Sequence, residues 1–416
     1  MVTQSEPAET EPARGWRNVY VLGIVSFFTD LSTEMIYPLL PAFVTAVLGA
    51  STTTLGAIEG AAESASSLLK VIFGNLADRM RGRKPLVLVG YAISSAAKPF
   101  VALAAAPWHV LTVRLADRAG KGIRTAPRDA LISDSAPGEA RGRAFGLQRT
   151  FDHAGAVCGP LVAAGLMSGF GADYRLVFAL SAIPGAVCVL FLAGLVRDVP
   201  RRSGDSHPSR LPGGQALSSL GSETGDRSQF SRVLRAYLAI VFLFTLGNSS
   251  DAFLLLRAGE LGLSAAAVPM AWVVLHIAKM ATSMPGGVLS DRIGRAPTIV
   301  LGWLVYALTY AGFAYASTPT HAWALFCVYG LYFGLTEGTE KALVADLAPA
   351  LARGRAFGWF NGAIGLGALP ASLTMGAVWQ RFGAPTALLL GAGVALLAAL
   401  LLLALVGRRP APAGTG

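Results

Sequence analysis

Ala130-Leu-Ile-Ser-Asp-Ser-Ala-Pro-Gly-Glu-Ala-Arg-Gly-Arg-Ala-Phe-Gly146 reappears without a gap as Ala342-Leu-Val-Ala-Asp-Leu-Ala-Pro-Ala-Leu-Ala-Arg-Gly-Arg-Ala-Phe-Gly358, an offset of about 212 residues. Chance does not produce such a match. A second pair keeps almost the same register: Gly74-Asn-Leu-Ala-Asp78-Arg79 with Arg83 and Pro85, against Gly287-Val-Leu-Ser-Asp291-Arg292 with Arg295 and Pro297. Two distant pairs in one register imply a duplicated unit about half the chain long.

The content of each unit follows from its hydrophobicity. The 416-residue chain is 53% hydrophobic and 14% charged, with a mean hydropathy of +0.55, which fits poorly with soluble domains. Apolar runs of roughly 20 residues, enough to cross a hydrocarbon core of about 30 Å, recur with short polar breaks. The predicted spans are Asn18–Val47, Leu55–Ala77, Pro85–Ala106, Trp108–Ser133, Ala144–Met167, Arg175–Val196, Val233–Leu256, Val268–Leu289, Pro297–Ala316, Ala322–Leu347, Phe357–Val378 and Pro385–Val406. The expected fold is all-α: a polytopic membrane protein whose 12 transmembrane helices form two pseudo-symmetric six-helix bundles.

Between Pro200 and Ser231 the chain fills with Ser, Gly, Arg and Pro, a composition that buries no core. The expected organisation is a cytosolic tail over 1–16, a first bundle over 17–197, a linker over 198–231, a second bundle over 232–407 and a tail over 408–416. The first tail is acidic and polar, without the basic start and apolar core of a signal peptide.

A net charge of +10 would suggest nucleic acid in a soluble protein. Its placement argues otherwise. Basic residues collect in alternate connections, from Arg79–Lys84 and Arg141–Arg143 through Arg197–Arg232 to Arg292–Arg295, Arg353–Arg355 and Arg408–Arg409. By the positive-inside rule this sets both termini and the long central connection in the cytoplasm, in a cell (plasma or inner) membrane. Cys158, Cys188 and Cys327 fall inside spans, with no spacing typical of zinc, redox or disulfide sites. No phosphate-binding Gly-x-x-x-x-Gly-Lys-Ser/Thr loop and no nucleophile constellation occurs. Neither an ATP-driven pump nor an enzyme is therefore expected, and no cofactor or metal.

The stretch from Gly74 through Asp78 and Arg79 to Arg83 and Lys84, between spans 2 and 3, resembles the cytoplasmic signature of the major facilitator superfamily, and Gly287 to Arg295 is its second-half echo. Gly155-Ala-Val-Cys-Gly159-Pro160 in span 5 resembles that superfamily's glycine-proline motif of proton-coupled exporters, the drug:proton antiporter-like branch. The resemblance implies a solute site near the membrane midplane between the halves, with spans 1, 4, 7 and 10 lining it. It also implies gating roles for Gly74, Asp78, Arg79, Arg83, Gly155, Gly159, Pro160, Gly287, Asp291, Arg292 and Arg295.

Physical reading supports those roles without requiring them. Gly155 and Gly159 stack on one helical face and admit a close helix neighbour, while Pro160 removes an amide donor. Tight packing and a gating bend are both open. Asp78 and Asp291 stand at helix ends beside arginines, where a carboxylate pairs with arginine or caps a neighbouring helix, latching a gate. Membrane anchoring by Arg79–Lys84 alone is the plainer alternative.

Ionised side chains in a span cost about 3 kcal/mol or more at midplane and need partners, water or a ligand. Span 4 carries Arg114, Asp117, Arg118, Lys121, Arg124, Arg128 and Asp129 within an arc of roughly 140°. Arg114, Arg118, Lys121, Arg124 and Arg128, with Asn248 of span 7, are candidates for holding an anionic solute by charge-assisted hydrogen bonds. The competing reading is a closed ion-pair network with Asp30, Glu34, Glu59, Glu63 and Asp152. Asp30, Glu34, Asp152, Asp251, Glu337 and Glu340 are candidates for carrying protons, although Glu337 could simply pair with Lys341. His153 reads more plainly as a packing residue.

The resulting expectation is secondary active transport by alternating access: proton-coupled efflux of a small anionic or amphipathic organic solute. Partners would be the solute, protons and the lipid bilayer, with no nucleic acid, and the chain would be a monomer. Import or exchange of an organic anion or metal chelate on the same fold is the alternative, and a non-transporting receptor or scaffold is a more distant one.

Overall fold

The computed structural model describes residues 11–77, 82–135, 141–198, 232–348 and 353–407. The described residues are helical rods joined by short turns, with no strand among them. Twelve rods follow one another: span 1 (Trp16–Val47), span 2 (Thr52–Ala77), span 3 (Lys84–Leu103), span 4 (Pro107–Ser135), span 5 (Arg141–Gly169), span 6 (Tyr174–Leu195), span 7 (Arg232–Glu260), span 8 (Ala267–Ile293), span 9 (Arg295–Tyr315), span 10 (Pro319–Leu347), span 11 (Arg353–Phe382) and span 12 (Ala384–Gly407). The helix of span 1 already begins at Glu11, inside the stretch 1–16 read as a tail. Of the expected linker over 198–231 only Asp198 is described, and the rest of it and the expected tail over 408–416 lie outside the described residues.

Eight rods are long and apolar enough to cross a membrane by length and composition alone. Spans 2, 4, 5 and 10 fall short of that measure, and they are the rods that hold Glu59 and Glu63, the span 4 cations, Arg149 and Asp152, and Glu337 and Glu340. A rod carrying that charge is stable in hydrocarbon only where it faces protein or water.

Packing repeats the duplication. In the first half span 1 packs on 5 and 6, 2 on 4, and 3 on 4 and 6; in the second, 7 packs on 11 and 12, 8 on 10, and 9 on 10 and 12. Adding six to each number in the first set produces the second. The halves meet through span 2 against span 11 and span 5 against span 8, two contacts that exchange under the same operation. That is the pattern of two bundles related by a pseudo-two-fold axis.

Several rods are broken where sequence chemistry demands it. Pro38 and Pro41 remove amide donors after Glu34, and span 1 continues through a 3-10 turn, Tyr37–Leu39, and a wider turn, Phe43–Val47. Span 7 is helical over Arg232–Gly247 and again over Ala252–Glu260. Between them stand Asn248, Ser249, Ser250 and Asp251, four poor helix formers after a glycine. Both breaks face the space between the halves.

Taking the side of the chain's start as the terminus side, a row of hydrogen bonds joins the two halves toward the other, far side. Thr52 Oγ1 donates to the Gly376 carbonyl at 2.9 Å and Thr53 Oγ1 to Gln380 Oε1 at 2.7 Å. Ser64 Oγ donates to the Gly365 carbonyl and accepts from Leu369 N at 3.2 Å. Trp272 Nε1 donates to Glu34 at 2.8 Å, and Ser250 Oγ lies 3.5 Å from Tyr37 Oη and 3.3 Å from Glu59. Thr52 to Ser64 spans about 18 Å of helix, more than half of a hydrocarbon core. Toward the terminus side, Arg149 and Lys341 are exposed.

Candidate functional site

A cavity of about 450 Å³ lies between the halves, lined by Tyr37, Glu59, Glu63, Arg114, Arg118 and Lys121 from the first and by Phe244, Asn248–Asp251, Lys279, Tyr332, Phe333 and Glu340 from the second. A smaller lobe of about 260 Å³ adjoins it, lined by Asp30, Thr33, Glu34, Asp117, Arg124 and Trp272 along with residues of the first lobe. Spans 1, 4, 7 and 10 all contribute, as expected; spans 2, 8 and 11 contribute as well.

The span 4 cations divide into two groups. Arg114 is 5% exposed and closes a two-pronged ion pair on Glu59, 3.0 Å from Nε to Oε1 and 2.7 Å from Nη2 to Oε2. Asp117 lies 4.0 Å from its Nη1, and the guanidinium sits 5.3 Å from the centre of the Tyr37 ring. Arg114 thus lines the cavity with its fork already held by Glu59. Arg128 turns its fork to Asp129 at 3.0 and 2.8 Å and borders neither lobe. A helical arc of 140° was too coarse to separate these from the rest, because each finds its partner through side-chain reach.

Arg118, Lys121 and Arg124 differ. Arg118 is 9% exposed, yet its Nε–H has no protein acceptor; Nη1 of Arg124 is likewise without one, although its guanidinium stacks 4.3 Å above the Tyr91 ring. The Lys121 carbonyl accepts from Thr125, but its ammonium forms no hydrogen bond or close ion pair among the described residues. Leaving such donors unmet costs about 1–3 kcal/mol each, more for charged groups, so they are poised for water or an anion.

The carboxylates divide similarly. Glu34 accepts from Trp272 Nε1 at 2.8 Å, Asp251 from Tyr329 Oη at 2.6 Å and Glu340 from Trp303 Nε1 at 2.9 Å. Each donor is neutral. Asp30 makes no hydrogen bond or ion pair with a described residue. Asp152 accepts from Gln148 at 2.6 Å and borders neither lobe, so it stands apart from the cavity group. Glu337 pairs with Lys279 of span 8 at 2.9 Å rather than with Lys341 one turn along, because Lys279 crosses from the facing helix. Asn248 Nδ2 donates to Tyr332 Oη at 3.2 Å.

Sequence reasoning did not foresee that Phe244, Tyr332 and Phe333 line the cavity, backed by a buried aromatic layer. Phe244 stacks on Trp303 with ring centres 4.3 Å apart, Tyr306 on Tyr310 at 4.2 Å, and Tyr329 lies parallel to Tyr332 at 5.6 Å. The signal was the helical spacing of Trp303, Tyr306 and Tyr310, and of Tyr329, Tyr332 and Phe333. It missed Lys98 too, whose buried Nζ donates to the Thr29 carbonyl at 3.2 Å and Thr33 Oγ1 at 3.1 Å, tying span 3 to span 1.

At the candidate gates, a Cβ on Gly155 would collide with the Phe27 carbonyl and stand 3.1 Å from Asp30 Cβ, and one on Gly159 would stand 2.7 Å from Glu34 Cβ. These glycines let span 5 press against the stretch of span 1 that carries both acids. Pro160 lies within a helix that runs on to Gly169. Arg295 joins Asp291 at 2.6 Å to Asp346 at 3.5 Å and also donates to Ser290, bridging spans 8 and 10; Arg292 is exposed, and Gly287 has open space around its Cα. In the first half Gly74 lies in the span 2 helix, while Asp78 and Arg79 lie outside the described residues. The start of span 3 is held instead by Asp198, which accepts from the backbone amides of Arg83 at 3.2 Å and Lys84 at 3.4 Å. Among the described residues no group of His, Cys, Asp and Glu is arranged to hold a metal ion.

The family model of the Major Facilitator Superfamily matches residues 22–339 and, in a second match, 236–416. The chain belongs to the Major Facilitator Superfamily. An uncharacterized transporter of this type from Methanocaldococcus jannaschii is 35% identical over 393 residues, covering 93% of this chain and 94% of its own length. The multidrug resistance protein MdtH of Cronobacter sakazakii is 25% identical over 359 residues, covering 83% and 84%. The crystal structure of the nucleoside transporter NupG superposes with a TM-score of 0.69 at 18% identity, over 94% of this chain and 99% of that one. Family and fold are those of membrane transporters rather than enzymes, with a small-molecule substrate and a membrane environment.

Proposed function

We propose that this superfamily member carries a small amphipathic organic anion across a cell membrane by alternating access, with protons as the coupling ion. One observation carries the reading: across a single cavity of about 450 Å³, cations with unmet donors face an aromatic wall. Arg118 and Lys121 stand on the first-half side; Phe244, Tyr332, Phe333 and Ile364 stand opposite. The volume lies within the range of small-molecule sites, roughly 300–1,000 Å³. An acidic group would replace the missing acceptor of Arg118, and an apolar body would cover the aromatic rings.

Proton coupling is supported by Asp30, Glu34, Asp251 and Glu340, which line the lobes without a cation bound to them. Such a carboxylate gains and loses a proton without stranding a buried cation. Efflux is the direction supported by the glycine-proline stretch and by the likeness to the multidrug resistance protein. Uptake of an organic anion is the second reading, favoured by the excess of unpartnered cations in span 4. Positive-inside charge supports a cytoplasmic terminus side, with 198–231 as the linker and the chain acting as a monomer.

Everted and right-side-out vesicles, each energised to set a proton gradient, test this with a panel of aromatic sulfonates and carboxylates. Accumulation in everted vesicles supports export by exchange, and accumulation in right-side-out vesicles supports uptake. Absence of protein-dependent movement of any anion in either, alongside movement of organic cations, would overturn the anion reading.

A further inference from the structure

The smaller lobe holds an imbalance that the larger one does not. Of the carboxylates bordering it, Glu34 is met by Trp272, Asp251 by Tyr329, Asp117 by Ser94, and Glu63 by Ser67 at 3.4 Å and by the charges of Lys70, Arg118 and Lys121. Of its cations, Lys279 is taken by Glu337. What remains without a bond is one carboxylate, Asp30, and three groups on one face of span 4: Lys121, Nε of Arg118 and Nη1 of Arg124. Both guanidiniums are more than nine-tenths buried. The charges acting on Asp30 are Lys121 and Arg124 from span 4, Asp152 from span 5 and Glu34 from its own span, and Asp30 acts in turn on Lys98 of span 3.

We propose that Asp30 and the acidic group of the solute are alternative partners of Lys121 and Arg124, beside the unmet donor of Arg118, so that proton uptake at Asp30 and anion binding strengthen each other and the two travel in the same direction. An ionised Asp30 competes with the incoming anion for Lys121 and Arg124, and repels it. A protonated Asp30 leaves that cationic face to the anion. Coupling free energies are reciprocal, so a bound anion favours the protonated carboxyl to the same degree. Synergy of this sign describes co-transport, in which the proton gradient drives the anion inward and outward movement runs on the solute's own gradient. Exchange requires the opposite sign.

The inference rests on the anion reading above and favours its uptake form over export by exchange, and the test separates coupling from anion binding. The full chain in lipid nanodiscs is titrated calorimetrically with 2-naphthalenesulfonate, whose sulfonate stays ionised between about pH 5.5 and 8.5, in two buffers of different ionisation enthalpy. The expected result is affinity that falls as pH rises, by up to about tenfold per pH unit, with up to about one proton taken up per anion. Asp30→Asn binds at the low-pH affinity throughout, with no proton uptake, and Asp30→Glu keeps the slope. Lys121→Gln, which removes one contested cation, weakens binding at low pH and flattens the slope, a check independent of whether Asp30→Asn folds. Wild-type affinity that is constant or rises with pH, or a wild-type slope in Asp30→Asn, overturns the coupling alone. Failure of the wild type to bind the sulfonate at any pH overturns the anion reading and this inference with it.

Discussion

Glu59 and Arg114 form the most deeply buried ion pair bordering the cavity, 4% and 5% exposed, closed by two bonds of 3.0 and 2.7 Å. Glu59→Gln removes the charge but not the volume. Breaking a buried pair from one side costs about 3–5 kcal/mol, because the remaining charge stays desolvated. Arg114 still has Asp117 4.0 Å away and the Tyr37 ring beneath it, which places the loss near the lower end, about 3 kcal/mol. Ser250 of the second half also loses its charged acceptor, so part of that loss falls on the seal between the halves. Removing both charges in Glu59→Leu with Arg114→Met replaces the pair by apolar volume, and such exchanges are often neutral or stabilising by about 1–4 kcal/mol. Thermal unfolding in nanodiscs, followed by loss of circular dichroism, is expected to show a strongly destabilised single variant and a double variant restored most of the way. Because Arg114 is engaged by Glu59, the double variant should keep its affinity for an anionic probe within a few-fold. A Glu59→Gln protein as stable as the wild type, or a double variant as unstable as the sum of the singles, would refute the reasoning.

Arg118→Gln should weaken binding of 2-naphthalenesulfonate by roughly tenfold or more, since a charge-assisted bond to a buried guanidinium contributes about 1.5–3 kcal/mol; unchanged affinity would make Arg118 purely structural. Gly56→Val places a side chain where the Ser372 carbonyl packs across the halves, so it should hold the far side open. A cysteine introduced near Thr53 should then react faster with a membrane-impermeant thiol reagent, and unchanged labelling would show that the seam tolerates the bulk. Arg295→Gln should cost less than about 1 kcal/mol of stability, because its partners Asp291 and Asp346 are 67% and 59% exposed. Its transport rate should nevertheless fall if the bridge between spans 8 and 10 is part of the gate, and an unaltered rate would confine Arg295 to loop anchoring.

Much of the architecture was legible in the amino-acid string because lipid imposes a one-dimensional code. Apolar runs of membrane length mark the spans, and the paired stretches around Asp134 and Asp346 expose the duplication. The break in span 7 also had a local sign in Gly247-Asn-Ser-Ser250, although it was read only as part of a span. The candidate site was legible to the level of a face. Helical periodicity collected the span 4 charges on one side, but a period says nothing of what stands across the gap. Arg114 met Glu59 from span 2, Lys279 met Glu337 from span 10, and Glu340 met Trp303 from span 9. The aromatic lining of Phe244, Tyr332 and Phe333 stayed hidden for the same reason: the buried Trp303, Tyr306 and Tyr329 back it only when spans 9 and 10 pack.

The chain by itself determined that it is a duplicated membrane bundle with charge concentrated in spans 2, 4, 5 and 10, since hydrophobic length and internal repetition act along the sequence. Only the tertiary structure decided which of those charges are free. Whether a buried Arg or Asp is paired depends on a distance of about 3 Å between helices far apart in sequence, and the strength of an ionic contact changes steeply over that distance in a low-dielectric interior.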